Sequence, residues 1–184
     1  MTTLLDPGRS VLVLVDHQAR LMPAIHDAER VLDEAVFIAS LAKVMGVPVL
    51  GTEQHPQALG ANEPRVRALC EHTLSKVHFS ATGDGLLQLM QRVAPAADQV
   101  VLAGCETHVC LMQTALGVLQ AGRQVFVVPE ACGSRRPADK ALALARLNQA
   151  GVTLVNPEML AFEWLRTCEH PRFREVLSMI KSRT

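Results

Sequence analysis

Apolar residues in this chain cluster in short runs separated by longer periodic segments. The runs lie at residues 11–15, 47–50, 73–77, 100–103, 125–128 and 152–155, and most are rich in valine. They lack the apolar–polar alternation of a half-exposed strand. Strands buried on both faces, as in a parallel sheet, read this way. Between them, residues 31–45, 85–93, 110–121 and 138–150 carry apolar side chains at helical spacing. Val109, Met112, Leu116 and Leu119 form one such stripe. Gly46, Gly122 and Gly151 each follow a helical segment and precede a strand, the position of a helix-terminating glycine. Residues 157–167 and 171–181 predict two closing helices, each with a proline near its start. Alternation of strand and helix predicts an α/β fold with a doubly wound parallel sheet. No repeat, linker or low-complexity tract interrupts it, so residues 1–184 are expected to form one domain. Residues 54–68 are the longest stretch expected to be irregular, either a flap over a site or a surface loop.

Composition narrows the possible partners. Lysine plus arginine and aspartate plus glutamate each number 18, so the formal net charge is zero. Nothing here favours a polyanion or an anionic membrane surface. Aromatic residues make up 3% and tyrosine is absent, which argues against base-stacking platforms. No apolar run approaches the ~18 residues expected of a membrane span. The first seven residues lack the pattern of a secretory signal. The five cysteines are therefore expected to be reduced thiols in the cytoplasm.

In doubly wound sheets, ligands bind beyond the carboxyl ends of the strands. The first strand ends at Asp16-His17-Gln18 and the second at Thr52-Glu53-Gln54-His55. The third ends near Ser75-Lys76-Val77-His78, and the fourth runs into Gly104-Cys105-Glu106-Thr107-His108-Val109-Cys110. A carboxylate, an ammonium and a thiol thus occupy ends that should converge. A cysteine at a helix start is expected to gain thiolate character from the helix dipole. Asp16 would serve as its base, and Lys76 would offset the repulsion between carboxylate and thiolate. Taken singly, each residue has a plainer reading: a turn-starting Asp, a solvated Lys, a small buried Cys.

The three segments together resemble the isochorismatase-like cysteine hydrolases, a group that includes nicotinamidases. Val13-Leu14-Val15-Asp16-His17-Gln18 is similar to the family's catalytic-aspartate strand. Ser75-Lys76-Val77-His78-Phe79-Ser80-Ala81 is similar to its lysine segment, and the stretch from Val101 to Cys110 to its nucleophile segment. Glu130-Ala131-Cys132-Gly133-Ser134-Arg135 and His170-Pro171-Arg172-Phe173 look like the isochorismatase domain-containing branch. The resemblance implies three α-β-α layers and a six-stranded sheet of order 3-2-1-4-5-6. It implies an Asp16–Lys76–Cys110 triad that cleaves an amide-like C–N bond of a small molecule through a thioester. It also implies a cis peptide between Cys105 and Glu106, an oxyanion hole made by the N–H groups of Glu106 and Cys110, and homo-oligomers. The Glu106 side chain itself is expected at the surface or behind the reacting groups.

Gln18, Gln54 and Thr107 are the candidates for meeting substrate; an amide side chain offers both a donor and an acceptor. Nicotinamidases also carry a metal on Asp and His ligands. Glu53 and His55 keep that spacing and would share a face if extended, but the surrounding residues resemble the metal-free branch, so neither metal nor cofactor is expected. Two other classes fit the chain less well. One is an interaction protein that retains the fold, and the other is a thiol redox protein in which Cys105 resolves an oxidised Cys110.

Overall fold

The computed structural model describes residues 4–183. Six parallel strands form one sheet in the order β3-β2-β1-β4-β5-β6. The strands are β1 (Ser10–Val15), β2 (Val49–Gln54), β3 (His72–Lys76), β4 (Gln99–Gly104), β5 (Gln124–Val127) and β6 (Thr153–Leu154). The main helices are α1 (Ala28–Val44), α2 (Pro56–Leu59), α3 (Pro64–Arg67), α4 (Leu86–Val93), α5 (Met112–Gln120), α6 (Pro137–Gln149), α7 (Pro157–Leu165) and α8 (Phe173–Lys181). Among the described residues no helix is long and apolar enough to cross a membrane.

Valine and leucine runs went to the middle of the sheet because helices cover both of its faces there. Every residue of β1 and β4 is buried. Each large aliphatic side chain so buried contributes about 1.5–3 kcal/mol relative to exposure. The third strand differs. Its sequence, His-Thr-Leu-Ser-Lys, is polar, it lies at the sheet edge, and only its last residue, Lys76, is buried. Residues 54–68, expected to be irregular, contain the two short helices α2 and α3, each started by a proline. The last helices cover the core: Trp164 and Leu165 are buried, and Trp164 Nε1 donates to Ser10 Oγ at 3.1 Å. Phe162 remains exposed.

Strand β4 ends against β1 so closely that only glycine fits. Gly104 has φ +149°, and a Cβ there would sit 2.1 Å from the carbonyl oxygen of Val15. Directly beyond that crossing, Asp16 takes the left-handed conformation (φ 53°), which aspartate tolerates better than most residues. The chain therefore leaves β1 and β4 side by side at the carboxyl edge.

Candidate active site

Asp16, Lys76 and Cys110 come from β1, β3 and the segment after β4. The side chains of Asp16 and Lys76 are fully buried, with Lys76 Nζ 2.7 Å from Asp16 Oδ2. Lys76 spends its hydrogens on Gln54 Oε1 at 2.7 Å, the Phe79 carbonyl at 3.1 Å and, more weakly, the His78 carbonyl at 3.4 Å. Asp16 Oδ1 accepts from Thr52 Oγ1 at 2.7 Å. Oδ2 is close to the ammonium but has no hydrogen-bond partner among the described residues. One carboxylate oxygen is thus fixed by Thr52, and the other lies against the ammonium.

Cys110 lies in a wide π-helical turn, Thr107–Leu111, that leads into α5. Its thiol is close enough to both charges to feel them in opposite senses. Burial is the largest influence and pushes its pKa up to about 12; Asp16 raises it further and Lys76 opposes. This corrects the expectation that a helix start would favour the thiolate. Desolvation and the carboxylate both act against the thiolate.

The peptide between Cys105 and Glu106 is cis. The Cys105 sulfur is fully buried, 3.9 Å from Met22 Sδ, and burial holds its pKa well above the usual thiol range. That environment does not suit a thiol that must resolve an oxidised neighbour. All five cysteines are free.

The three residues expected to meet substrate are engaged within the protein. Gln18 is completely buried; its Nε2 donates to the carbonyls of Gln54 (3.0 Å) and Gly60 (2.6 Å), and its Oε1 accepts from Gln54 N at 2.8 Å. It ties down the 54–62 segment. Thr107 Oγ1 donates to the Gly133 carbonyl at 2.9 Å and is also completely buried. Gln54 is partly exposed and bridges Lys76 Nζ and the Val77 carbonyl. Gln54 is the one of the three with access to a ligand. Glu53 and His55 do not share a face, because β2 ends at Gln54 and His55 turns to φ 38°. Glu53 Oε1 instead accepts from Asn62 N at 2.9 Å. Among the described residues no group of three or more His, Cys, Asp or Glu could hold a metal ion.

Thr52 was not assigned from sequence, and no partner was named there for the Glu106 side chain. Thr52 pairs in register with Val15, which sets its hydroxyl beside Asp16. The carboxylate of Glu106 is nearly buried and pairs with Arg135, which lowers its pKa. A surface cleft of about 440 Å³, lined in part by His26, Arg30, Glu130 and Lys140, shares no residue with the Asp16–Lys76–Cys110 group. The chemistry argues for the group at the strand ends, where three reactive types meet, over the size of a surface hollow.

The fold and the gathering of these groups at one sheet edge define a doubly wound α/β protein with a carboxylate–ammonium–thiol site. The chain belongs to the isochorismatase family of hydrolases: the Isochorismatase domain family matches residues 10–158. Mouse isochorismatase domain-containing protein 2A is 35% identical over 178 residues, covering 95% of this chain and 84% of that protein. The MAR1 ribonuclease structure from Caenorhabditis elegans superposes with a TM-score of 0.90 at 26% identity, covering 97% of this chain and 93% of that one. The YcaC gene product of Escherichia coli, described as an octameric hydrolase of unknown specificity, has the same fold at 22% identity (TM-score 0.85, 100% and 99% covered).

Proposed function

We propose that this protein is a cysteine hydrolase cleaving an amide-like C–N bond of a small molecule, with Cys110 as nucleophile, Asp16 as proton carrier and Lys76 as electrostatic partner. The observation that supports this reading is the fully buried Asp16–Lys76 pair, 2.7 Å apart, set close to the Cys110 thiol. A buried carboxylate beside the thiol is a competent acceptor for its proton. As the sulfur bonds to the substrate carbonyl carbon, its proton passes to Asp16 Oδ2. The C–N bond then breaks, and Asp16 returns the proton to the departing amine. Water attacks the thioester with Asp16 again as base, releasing the acid and restoring the thiol. The N–H groups of Glu106 and Cys110 are the donors for the carbonyl oxygen as it gains charge. Lys76, paired with Asp16, offsets negative charge when the thiolate forms.

On this reading Gln54 contacts the substrate, since its amide reaches both Lys76 and the protein surface. We also infer that the protein works as a homo-oligomer in the cytoplasm and needs no cofactor. The test is a hydrolysis screen of small amides, ureides and nicotinamide, with intact-protein mass spectrometry to detect acylated Cys110. Cys110→Ala is expected to abolish turnover and the mass increment. Full turnover by Cys110→Ala would overturn the proposal.

A further inference from the structure

Glu106 is the residue before the nucleophile's turn, and it is anchored on three sides. Its carbonyl accepts from Val109 N at 3.0 Å and Leu111 N at 3.3 Å, which joins it to the turn that carries Cys110. The next residue, Thr107, is pinned to Gly133 through both its N–H and its hydroxyl, at 2.8 and 2.9 Å. The third anchor is the side chain. Arg135 donates to the Glu106 carboxylate from its backbone N at 3.0 Å, from Nε at 3.1 and 3.2 Å, and from Nη2 at 2.8 Å. The Glu106 side chain is 6% exposed while that of Arg135 is 65% exposed. An outer guanidinium therefore grips an inner carboxylate in the planar, forked geometry that fixes direction as well as distance. No backbone carbonyl among the described residues accepts from the Glu106 N–H, so this donor remains for another acceptor.

We propose that Glu106 and Arg135 form a positioning pair that aims the Glu106 N–H at the oxygen of the reacting carbonyl. The proposal rests on the reading of Cys110 as nucleophile. Neither side chain touches the reacting atoms; the pair acts through the backbone of residue 106. Transition-state stabilisation by such a donor depends steeply on its placement. Loss of one donor typically costs 10²–10³ in rate, and a shift of about 1 Å can cost roughly 10². Releasing the side-chain anchor should therefore slow acyl transfer without altering the thiol itself.

Two reactions of Cys110 separate these effects. With p-nitrophenyl acetate, the sulfur bonds to the carbonyl carbon, the ester C–O bond breaks, nitrophenolate leaves and Asp16 takes the thiol proton; an oxyanion forms on the way. With iodoacetamide, the sulfur displaces iodide at carbon and no oxyanion forms. In Arg135→Ala, acylation of Cys110 is expected to slow about 10- to 100-fold, while alkylation stays within about twofold. Arg135→Lys should recover part of the acylation rate, since a single ammonium replaces a fork. Unchanged acylation, or parallel loss of both reactions, would overturn the positioning role. Wild-type protein alkylated at Cys110 but never acylated there would instead overturn the nucleophile reading beneath it, before any Arg135 variant is measured.

Discussion

Two carboxylate–cation pairs flank Cys110, and they are built differently. Asp16 and Lys76 are wholly buried, one on a central strand and one at the end of the edge strand. Glu106 is nearly buried, but its partner Arg135 lies mostly in solvent. Removing two charges from water is costly, and their attraction often only offsets that cost. The inner pair therefore makes sense as chemistry rather than as a source of stability: it holds a proton acceptor and a compensating charge against the thiol. The outer pair keeps one end in water, where the fork fixes geometry at little desolvation cost.

Substituting one member of the inner pair should give the largest effects. Asp16→Asn keeps size and the Thr52 contact but removes the base. Hydrolysis is expected to fall by about 10³ or more. The variant also leaves Lys76 buried beside a neutral group. Breaking a buried pair typically costs about 3–5 kcal/mol. Lys76→Met should destabilise similarly, and the double variant should be more stable than the sum of the singles predicts. Urea denaturation of all four proteins measures this coupling, and strict additivity would contradict it. The two singles should also move the Cys110 thiol in opposite directions. Asp16 raises its pKa and Lys76 lowers it, so Asp16→Asn moves titration to lower pH and Lys76→Met to higher pH. Thiolate ultraviolet absorbance reads both.

The inner pair was only partly legible in the sequence. β1 and β4 read clearly because burial on both faces demands uninterrupted apolar residues, and their ends named Asp16 and the Cys110 segment. β3 was faint: an edge strand buries little, and His72-Thr73-Leu74-Ser75 has no periodicity to distinguish it from a loop. The short run at residues 73–77 still placed Lys76 at a strand end, and the resemblance joined it to Asp16 and Cys110 as one set. The upward push on the Cys110 pKa was illegible, because its burial depends on the packing of several elements and a local helix argument sees only one. Gln18 and Thr107 looked like ligand groups because polarity near a strand end is visible in sequence, whereas the hydrogen bonds that occupy them come from segments distant in the chain. Glu106 and Arg135 are 29 residues apart, and only the adjacency of β4 and β5 brings their loops together.

His17, next to Asp16, sharpens the contrast at a smaller scale. It is fully buried, and desolvation lowers its pKa to about 4. Unlike Lys76 it has no carboxylate in contact; its Nε2 reaches only the Ala131 carbonyl, at 3.3 Å. Burial thus favours its neutral form. Unfolding raises its pKa to about 6.5, so between the two values the unfolded chain binds the extra proton. The stability His17 contributes is then complete above about 6.5 and is lost as pH falls towards about 4, on the order of 3 kcal/mol in all. Denaturation midpoints measured across this window should decline on acidification. His17→Gln should flatten that decline; an unchanged slope would remove His17 as its source.

The smallest expected effect is on the stability of the outer pair. Arg135 is largely solvated, and exposed ion pairs contribute little to stability. After Arg135→Ala, Glu106 still accepts from the backbone N–H of residue 135 and can draw water into the space left by the guanidinium. The variant should therefore unfold close to wild type, with a loss far smaller than in either inner-pair single. If it instead matches the loss in Lys76→Met, Glu106 must be as dry as Asp16, and the division between a chemical pair and a geometric pair fails. A small stability change combined with a large loss of acyl transfer is the result that separates the two: Arg135 would then hold direction rather than fold.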